Sequence, residues 1–329
     1  MDEGIFFDCD QLKSKTKRNE IKMRINTLKI LLLRLMMLVS LLVLTGRAEE
    51  EKPQVLSPPD SEVHVFDLTI KEGLYRLENG VNISNNLGYD NQPFFTDKSD
   101  TMLFVSVRDG KQTDVFEYDL NSQKTTQITN TPHSEYSPKT LNDNQNVTFV
   151  SEGGDPYQSV WSLNRMTGKS AWLLNSKEPV GYYAVNEQNG DVLFWSRYGW
   201  SVQYLNLERD ERRFVSGHAI PSSPQPIPNS ERFSFVHRQT NGEVWIKAFN
   251  PKDFSITPIA PIFGSNYDYT WAPNGDILRV ENNQLFVWPS QKKNNRWQKG
   301  QDLNQHFSGQ ITRLAVSQNG KYIALVENR

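Results

Sequence analysis

Short apolar runs alternate with polar turns along most of the chain, and one stretch shows this pattern clearly. It is PFFTDKSDTMLFVSVRDGKQTDVFEYDLNSQKTTQIT, residues 93–129. The turns are rich in Asp, Ser and Gly, and the runs are rich in β-branched and aromatic residues, which is typical of antiparallel strands. The stretch therefore predicts a four-stranded meander with the strands Pro93–Thr96, Met102–Val107, Asp114–Leu120 and Lys124–Thr129.

The second strand of this meander recurs along the chain as a short apolar core. Its central positions are Val105, Val150, Trp195, Val236, Val280 and Val326, at intervals of 45, 45, 41, 44 and 46 residues. A period of about 40–50 residues is typical of one four-stranded blade of a β-propeller.

The two ends of the array are incomplete in complementary ways. The last unit supplies two strands, Ile311–Val316 and Tyr322–Glu327, whereas Glu62–Ile70 and Leu74–Ser84 are strands without a matching core before them. Pairing the N-terminal strands with the C-terminal ones closes a ring and removes open sheet edges. The pattern thus predicts an all-β, six-bladed β-propeller of four-stranded antiparallel blades over residues 62–329, rather than a sandwich pair or a capped solenoid.

The turns resemble those of TolB-like propellers built from PD40, or WD40-like, repeats. The repeat is written as a turn S-P-D-G, an apolar strand ending near S-D-R-D-G, an I-Y-x-x-D-L strand and L-T. The best copy is Thr96–Ser99, Val105–Gly110, Val115–Leu120 and Ile128–Thr129, with echoes at Ala272–Gly275 and Ser317–Gly320. The resemblance covers about residues 62–329, and it implies a fold more strongly than a function because these residues make turns.

Two departures separate the chain from relatives of that family. TolB itself carries an α/β domain ahead of its propeller, and we expect none between Ala48 and Glu62. Prolyl-peptidase relatives add a hydrolase domain, but the chain has no G-x-S-x-G nucleophile motif. We therefore expect a bare propeller.

The N-terminal segment, residues 1–48, has the pattern of an export signal. Arg24, Lys29 and Arg34 precede the apolar run Leu35–Leu44, and Gly46 and Ala48 suit a cleavage site. The run is shorter than the ~20 residues that span a bilayer, so we expect cleavage, a periplasmic or secreted protein, and no remaining membrane span. Met23 is an alternative start, and residues 49–61, with three prolines, are expected to form a linker.

Charge and residue types narrow the classes of partner. Without residues 1–48 the chain holds 27 basic and 33 acidic residues, a net charge of about −6, which does not suit nucleic-acid binding. The single cysteine, Cys9, lies in the segment expected to be removed. The five histidines form no H-x-x-x-H or H-x-H pair, so we expect no metal site. We also expect no cofactor and a monomer.

The candidate binding residues come from propeller geometry. The segments that lead into the innermost strand of each blade meet at one mouth of the central channel, and the family resemblance implies partner binding there. Converging carboxylates shift one another's pKa and attract cations or basic peptides, and tyrosines suit interfaces and sugar stacking. The predicted site comprises Asp90, Glu135 and Asp268 together with Tyr89, Tyr136, Tyr182, Tyr183, Tyr267 and Tyr269. The same residues are equally consistent with a solvated acidic rim.

Most of the eight tryptophans lie in predicted strands, where packing between blades explains them. Trp200 and Trp297 are expected to be exposed instead.

Two functions fit these features. The first is an exported, non-catalytic propeller that binds an envelope protein or peptide at its channel mouth. The alternative is a carbohydrate-active enzyme, a polysaccharide lyase or glycoside hydrolase, that uses the same carboxylates as acid and base. No catalytic constellation is recognised in the sequence. The sequence does not name the partner, and a purely structural subunit is a third reading.

Overall fold

The computed structural model describes residues 22–24, 26–34, 36, 59–108, 112–142, 144–153, 157–174, 176–290 and 296–329. It divides into two compact units, Met1–Ser57 and Pro58–Arg329. In the first unit the described residues 22–24, 26–34 and 36 are helical. No helix in the described part of the chain is long and apolar enough to cross a membrane. The expected cleavage site, most of the run Leu35–Leu44 and most of the linker lie outside the described residues.

The second unit is built from 24 β-strands that form six four-stranded sheets. The strands are β1 Ser61–Lys71, β2 Leu74–Asn82, β3 Asp90–Phe95, β4 Thr101–Ser106, β5 Asp114–Asp119, β6 Lys124–Gln127, β7 Glu135–Leu141, β8 Asn146–Ser151, β9 Ser159–Asn164, β10 Ser170–Trp172, β11 Val180–Asn186, β12 Asp191–Ser196, β13 Ser201–Asn206, β14 Glu211–Ser216, β15 Gln225–Pro226, β16 Phe233–Arg238, β17 Val244–Phe249, β18 Ile256–Ile262, β19 Thr270–Trp271, β20 Ile277–Glu281, β21 Gln284–Trp288, β22 Gln298–Asp302, β23 Gln310–Val316 and β24 Tyr322–Asn328.

Each sheet is one blade of a six-bladed β-propeller, which confirms the predicted fold class. Blades 1 to 5 are β3–β6, β7–β10, β11–β14, β15–β18 and β19–β22, and their strands pair antiparallel in chain order. Blade 6 has the order β23, β24, β1, β2, so strands from the two ends of the unit share one sheet. The N-terminal strands complete the last blade, as the incomplete ends predicted.

Ring closure depends on the antiparallel pairing of β1 with β24. Seven residues of β1, from Ser61 opposite Asn328 to Asp67 opposite Tyr322, pair in continuous register. Beyond the strands, Arg329 donates its backbone N–H to the Asp60 carbonyl at 3.0 Å. The Arg329 guanidinium also lies 3.0 Å from the buried Glu62 carboxylate. The seam therefore consists of backbone pairing with a charged pair at its end.

The central strands of the blades are apolar on both faces because both faces are covered by neighbouring blades. All six residues of β12 are buried, as are the last five of β4 and β8. One core cluster joins Leu278 and Val280 of blade 5 to Phe66, Leu77 and Leu325 of blade 6. A continuous apolar run in the second strand of each unit thus reports packing between blades rather than one shared core.

The turn after the innermost strand is repeated in three blades. Ser99, Gly275 and Gly320 all have positive φ, at 60°, 87° and 69°. Each donates its backbone N–H, at 2.9 Å, to the carbonyl three residues earlier. The tight turn needs this left-handed conformation at its fourth residue, which glycine adopts at the lowest cost. The turn residues of the sequence repeat therefore have a structural role.

We predict that Leu325→Ala in β24 destabilises the whole propeller. Leu325 is fully buried in the cluster between blades 5 and 6. Removing a buried leucine side chain leaves a cavity and costs about 2–5 kcal/mol. Urea unfolding measures this change, and Ile70→Ala, at a 55% exposed position of β1, is the matched control. The control should cost under about 1 kcal/mol. Equal effects of the two substitutions would contradict a packed closing blade.

Candidate functional site

A cavity of about 1110 Å³ occupies the central channel. Its wall is formed by the innermost strands β3, β7, β11, β15, β19 and β23 and by the turns that follow them. Ligand sites in proteins have volumes of about 300–1,000 Å³, so the channel can hold a small molecule or a short peptide segment.

The cavity lies toward the ends of the innermost strands rather than their starts. Its wall includes Asp97 after β3, Glu187 and Gln188 after β11, and Gln318 after β23. We call this side the strand-end face and the opposite side, where the innermost strands begin, the strand-start face. The predicted mouth was placed at the strand-start face. Of its nine residues, Tyr182 and Asp268 line the cavity.

A cluster around Arg313 forms part of the cavity wall. Arg313 of β23 donates to the Tyr182 hydroxyl at 2.8 Å, and its guanidinium carbon lies 5.2 Å from the centre of the Tyr182 ring. The Asp268 carboxylate is 4.0 Å from Arg313 and accepts the Leu314 backbone N–H at 2.8 Å. Burial raises the pKa of Asp268 to about 6, although Arg313 and the Leu314 N–H oppose the shift. Arg313 was not among the predicted residues.

Asp90 is fully buried and does not line the cavity. It is the first residue of β3, where it pairs with Ser106 of β4, so its side chain is enclosed by the blade. Neither of its carboxylate oxygens has a hydrogen bond of normal geometry to the described residues. Burial raises the pKa of Asp90 to about 6, with nearby Ser106 and Arg108 opposing the shift and Glu62 adding to it.

Glu135 is also fully buried, at the start of β7. Its carboxylate accepts hydrogen bonds from the hydroxyls of Thr129, at 2.7 Å, and Thr131. These bonds hold the loop that joins blade 1 to blade 2. Burial, together with nearby Asp114, raises the pKa of Glu135. The structure therefore places Glu135 in a loop contact, away from the channel.

Two of the predicted tyrosines connect neighbouring blades. Tyr183 of β11 lies 2.7 Å from the Thr148 hydroxyl of blade 2, and Tyr269 lies 2.7 Å from the Ser234 hydroxyl of blade 4. Both tyrosines are fully buried. Tyr267 is half-buried and accepts from Arg238 at 3.3 Å. Tyr89 and Tyr136 are also half-buried.

Exposed aromatic side chains lie on the strand-start face beside blades 2 and 3. Tyr157 is 48% exposed, Tyr198 73% and Trp200 56%, which confirms the exposure predicted for Trp200. Their loops belong to this face because the Arg197 N–H donates to the Pro179 carbonyl, and the Val180 N–H donates to the Gln158 carbonyl.

The prediction for Trp297 was wrong. Trp297 is half-buried in the cluster between blades 4 and 5, and its indole donates to the Pro261 carbonyl at 2.5 Å. Its ring also packs on Trp288, with centroids 5.4 Å apart.

The exposed aromatic patch is continuous with the channel. Trp200 packs on Trp195 with ring centroids 6.0 Å apart, and Trp195 packs on Tyr182 with centroids 5.8 Å apart. Tyr182 in turn contacts Arg313 inside the channel. Among the described residues, no group of three or more His, Cys, Asp or Glu could hold a metal ion.

Comparisons with known proteins support the fold. No protein-family model and no curated protein matches the chain. Putative TolB from Agrobacterium tumefaciens is similar in structure, with a TM-score of 0.58 at 12% identity over 83% of this chain and 99% of that one. TolB from Acinetobacter baumannii gives 0.54 at 12% identity over 82% of this chain, which spans 64% of that protein. An oligogalacturonate lyase in complex with manganese gives 0.50 at 14% identity, over 78% of this chain and 83% of that one. The chain thus has the propeller fold that TolB also has.

We predict that Asp90→Asn changes stability in a pH-dependent way. The pKa of Asp90 is raised in the folded state from 3.8 to about 6, so the folded protein binds more protons than the unfolded chain between these values. The contribution of Asp90 to stability therefore falls as pH rises from about 4 to about 6, and Asp90→Asn removes this loss.

The free energy of unfolding of the variant minus that of the wild type should increase between pH 4 and pH 7.5. The expected increase is about 1–3 kcal/mol. Urea unfolding at a series of pH values measures it. Asp210→Asn, at a side chain 84% exposed, is the control and should show a flat profile. A flat profile for Asp90→Asn as well would contradict the buried, weakly compensated carboxylate.

Proposed function

We propose that the protein is an exported, non-catalytic β-propeller of the cell envelope that binds a protein or peptide partner on its strand-start face. The observation that carries the proposal is the exposed aromatic patch of Tyr157, Tyr198 and Trp200, which continues into the channel through Trp195 and Tyr182. Tyrosine and tryptophan dominate the binding energy of many protein interfaces. Aromatic side chains grouped on one face are therefore better explained by a partner than by solvent.

The other features of the chain agree with this proposal. The export-like pattern of residues 23–48 supports a periplasmic or secreted location. The similarity in fold to TolB supports an interaction role in the envelope by analogy. The proposed surface also includes four residues around the channel on the strand-start face: Asp268, Tyr182 and the half-buried Tyr89 and Tyr136. Glu135 acts on this surface indirectly, because its hydrogen bonds with Thr129 and Thr131 hold the loop between blades 1 and 2. Asp90 is buried behind the surface.

Site-specific photo-crosslinking in the native envelope tests the proposed surface. A photoreactive residue is placed at Tyr198 or Trp200, and in the control at Phe214, which is 70% exposed on the outer strand β14. We expect discrete adducts from the first two positions and none from the third. We also expect Tyr157→Ala combined with Tyr198→Ala to abolish the adduct at Trp200.

Adducts of equal yield from Phe214, or none from Tyr198 and Trp200, would contradict the proposed surface. Substituting Asp90 and Glu135 is a poor test because both carboxylates are buried, and a loss of binding would also report lost stability.

A second candidate is a carbohydrate-active enzyme that works in the channel. It is favoured by one observation: the carboxylates of Asp97, Glu187, Glu231 and Asp268 all line the cavity. The fold is also similar to that of an oligogalacturonate lyase. Glycosidases use paired carboxylates about 5–10 Å apart. Incubation with polygalacturonate and other polysaccharides, followed by assays for new reducing ends and unsaturated products, distinguishes the two functions. The non-catalytic proposal predicts no product, and a product lost in Asp268→Asn would overturn it.

A further inference from the structure

Lys139 is a positively charged side chain inside the channel. It lies on β7, the innermost strand of blade 2, and lines the central cavity. Its ammonium is 5.0 Å from the centre of the Phe94 ring on β3 and 5.6 Å from that of the Tyr183 ring on β11. The side chain thus lies between aromatic rings from the two neighbouring blades.

The ammonium has no ion pair with any described residue. Two other cations of the cavity wall do have carboxylate partners. Arg313 lies 4.0 Å from Asp268, and Lys252 lies 2.7 Å from Glu231. Burial alone lowers the pKa of Lys139 to about 8, with no charged side chain contributing to the shift. Rings at 5–6 Å supply part of the missing solvation. Among the described residues, none accepts a hydrogen bond from the three N–H donors of this ammonium.

Uncharged residues of the neighbouring innermost strands share the cavity wall with Lys139. Pro138 directly precedes Lys139 on β7, and Pro93 directly precedes Phe94 on β3. Both prolines line the cavity, as do Ser137 and Thr140. A single unpaired ammonium suits a ligand with one negative charge, whereas a phosphate dianion requires several cations or backbone donors. The prolines and Phe94 supply apolar surface for the body of that ligand.

We propose that the channel binds a carboxylate-bearing ligand, with the carboxylate on the Lys139 ammonium and the body of the ligand against Pro93, Phe94 and Pro138. Such a carboxylate is present both at the C-terminus of a peptide and in a sugar acid. The site lies inside the channel toward the strand-end face. It is therefore a second site, which lies toward the opposite face from the exposed side chains Tyr157, Tyr198 and Trp200.

Ligand binding is measured by calorimetry with two pairs of probes. N-acetylphenylalanine and its neutral amide represent a peptide end, and galacturonate and neutral galactose represent a sugar. We expect at least one acid to bind. Its neutral counterpart should bind at least ~10-fold more weakly, because it cannot form the charge-assisted hydrogen bond with the ammonium. Lys139→Met should lose the same factor, and Lys139→Arg should retain binding. Lys252→Met, at the rim of the same cavity, is the control that should bind like the wild type.

A second readout separates binding from a structural role. In NMR spectra of protein with ¹³C-labelled lysines, the resonance of Lys139 is identified as the one that is missing from the Lys139→Arg variant. Titration of this resonance with pH gives the pKa of Lys139. We expect this pKa to rise from about 8 toward its ordinary value when the acid is bound, because the carboxylate stabilises the charged form.

Several results would overturn the proposal. These are the absence of binding by both acids at millimolar concentration, equal binding of acid and neutral probe, equal binding by Lys139→Met, or an unchanged Lys139 pKa at saturation. Thermal unfolding of Lys139→Met checks the fold, and removal of a half-buried cation without an ion pair should leave the protein at least as stable as the wild type. The aromatic patch is untouched by these variants, so crosslinking at Trp200 distinguishes failure of this site from failure of the proposed partner surface.

Discussion

The pairing of β1 with β24 is the constraint on which the rest of the structure depends. Five blades are made of consecutive strands, but the sixth exists only because Ser61–Asp67 adds to the sheet of β23 and β24. Without that seam the apolar faces of blades 1 and 5 lose a neighbour, since one core cluster joins blade 5 to blade 6 and another joins blade 6 to blade 1. Closure therefore sets the diameter of the channel and the positions of the six strands around it.

Several acidic residues at the strand-start face belong to the scaffold. The loops between blades need anchors, and buried carboxylates at the strand-start face accept their backbone N–H groups. Glu281 accepts from Ser265 and Asn266, and Glu327 accepts from Ser308 and Gly309. Glu62 accepts the Ser84 hydroxyl at 2.5 Å. A carboxylate that the sequence pattern places near the channel mouth is therefore often part of the scaffold. The exposed side chains that form the proposed surface on this face are aromatic.

Much of the fold could be predicted because it follows from local pattern. The 41–46-residue spacing of positions such as Val105 and Val280 gave the number of blades, and the incomplete ends gave the closure. The positions of Asp90 and Glu135 at the strand starts were also anticipated, but their burial was not. It depends on strand pairing across the blade and on loop contacts, such as that of Thr129 with Glu135, which have no signature in sequence.

The channel residues were missed for a related physical reason. Lys139 and Arg313 are single charged residues within otherwise ordinary strands, and only the ring shows that they face a common space. The structure shows one feature that they share: each follows an irregularity in the pairing of its innermost strand, next to Pro138 in one case and Thr312 in the other. Bulges re-aim side chains and recur near functional sites. A charged residue just after such a position was therefore a better candidate than the acidic residues at the strand starts.

The central claim is that the two ends of the propeller close one cooperative ring around the channel. Native-state hydrogen exchange followed by mass spectrometry tests it most directly. The account predicts that the amides of β1 and β24 exchange as slowly as those of the buried strands β4 and β12, through global unfolding. Fast exchange in β1 and β24, while β4 and β12 stay protected, would show that the seam opens by itself and would contradict the account.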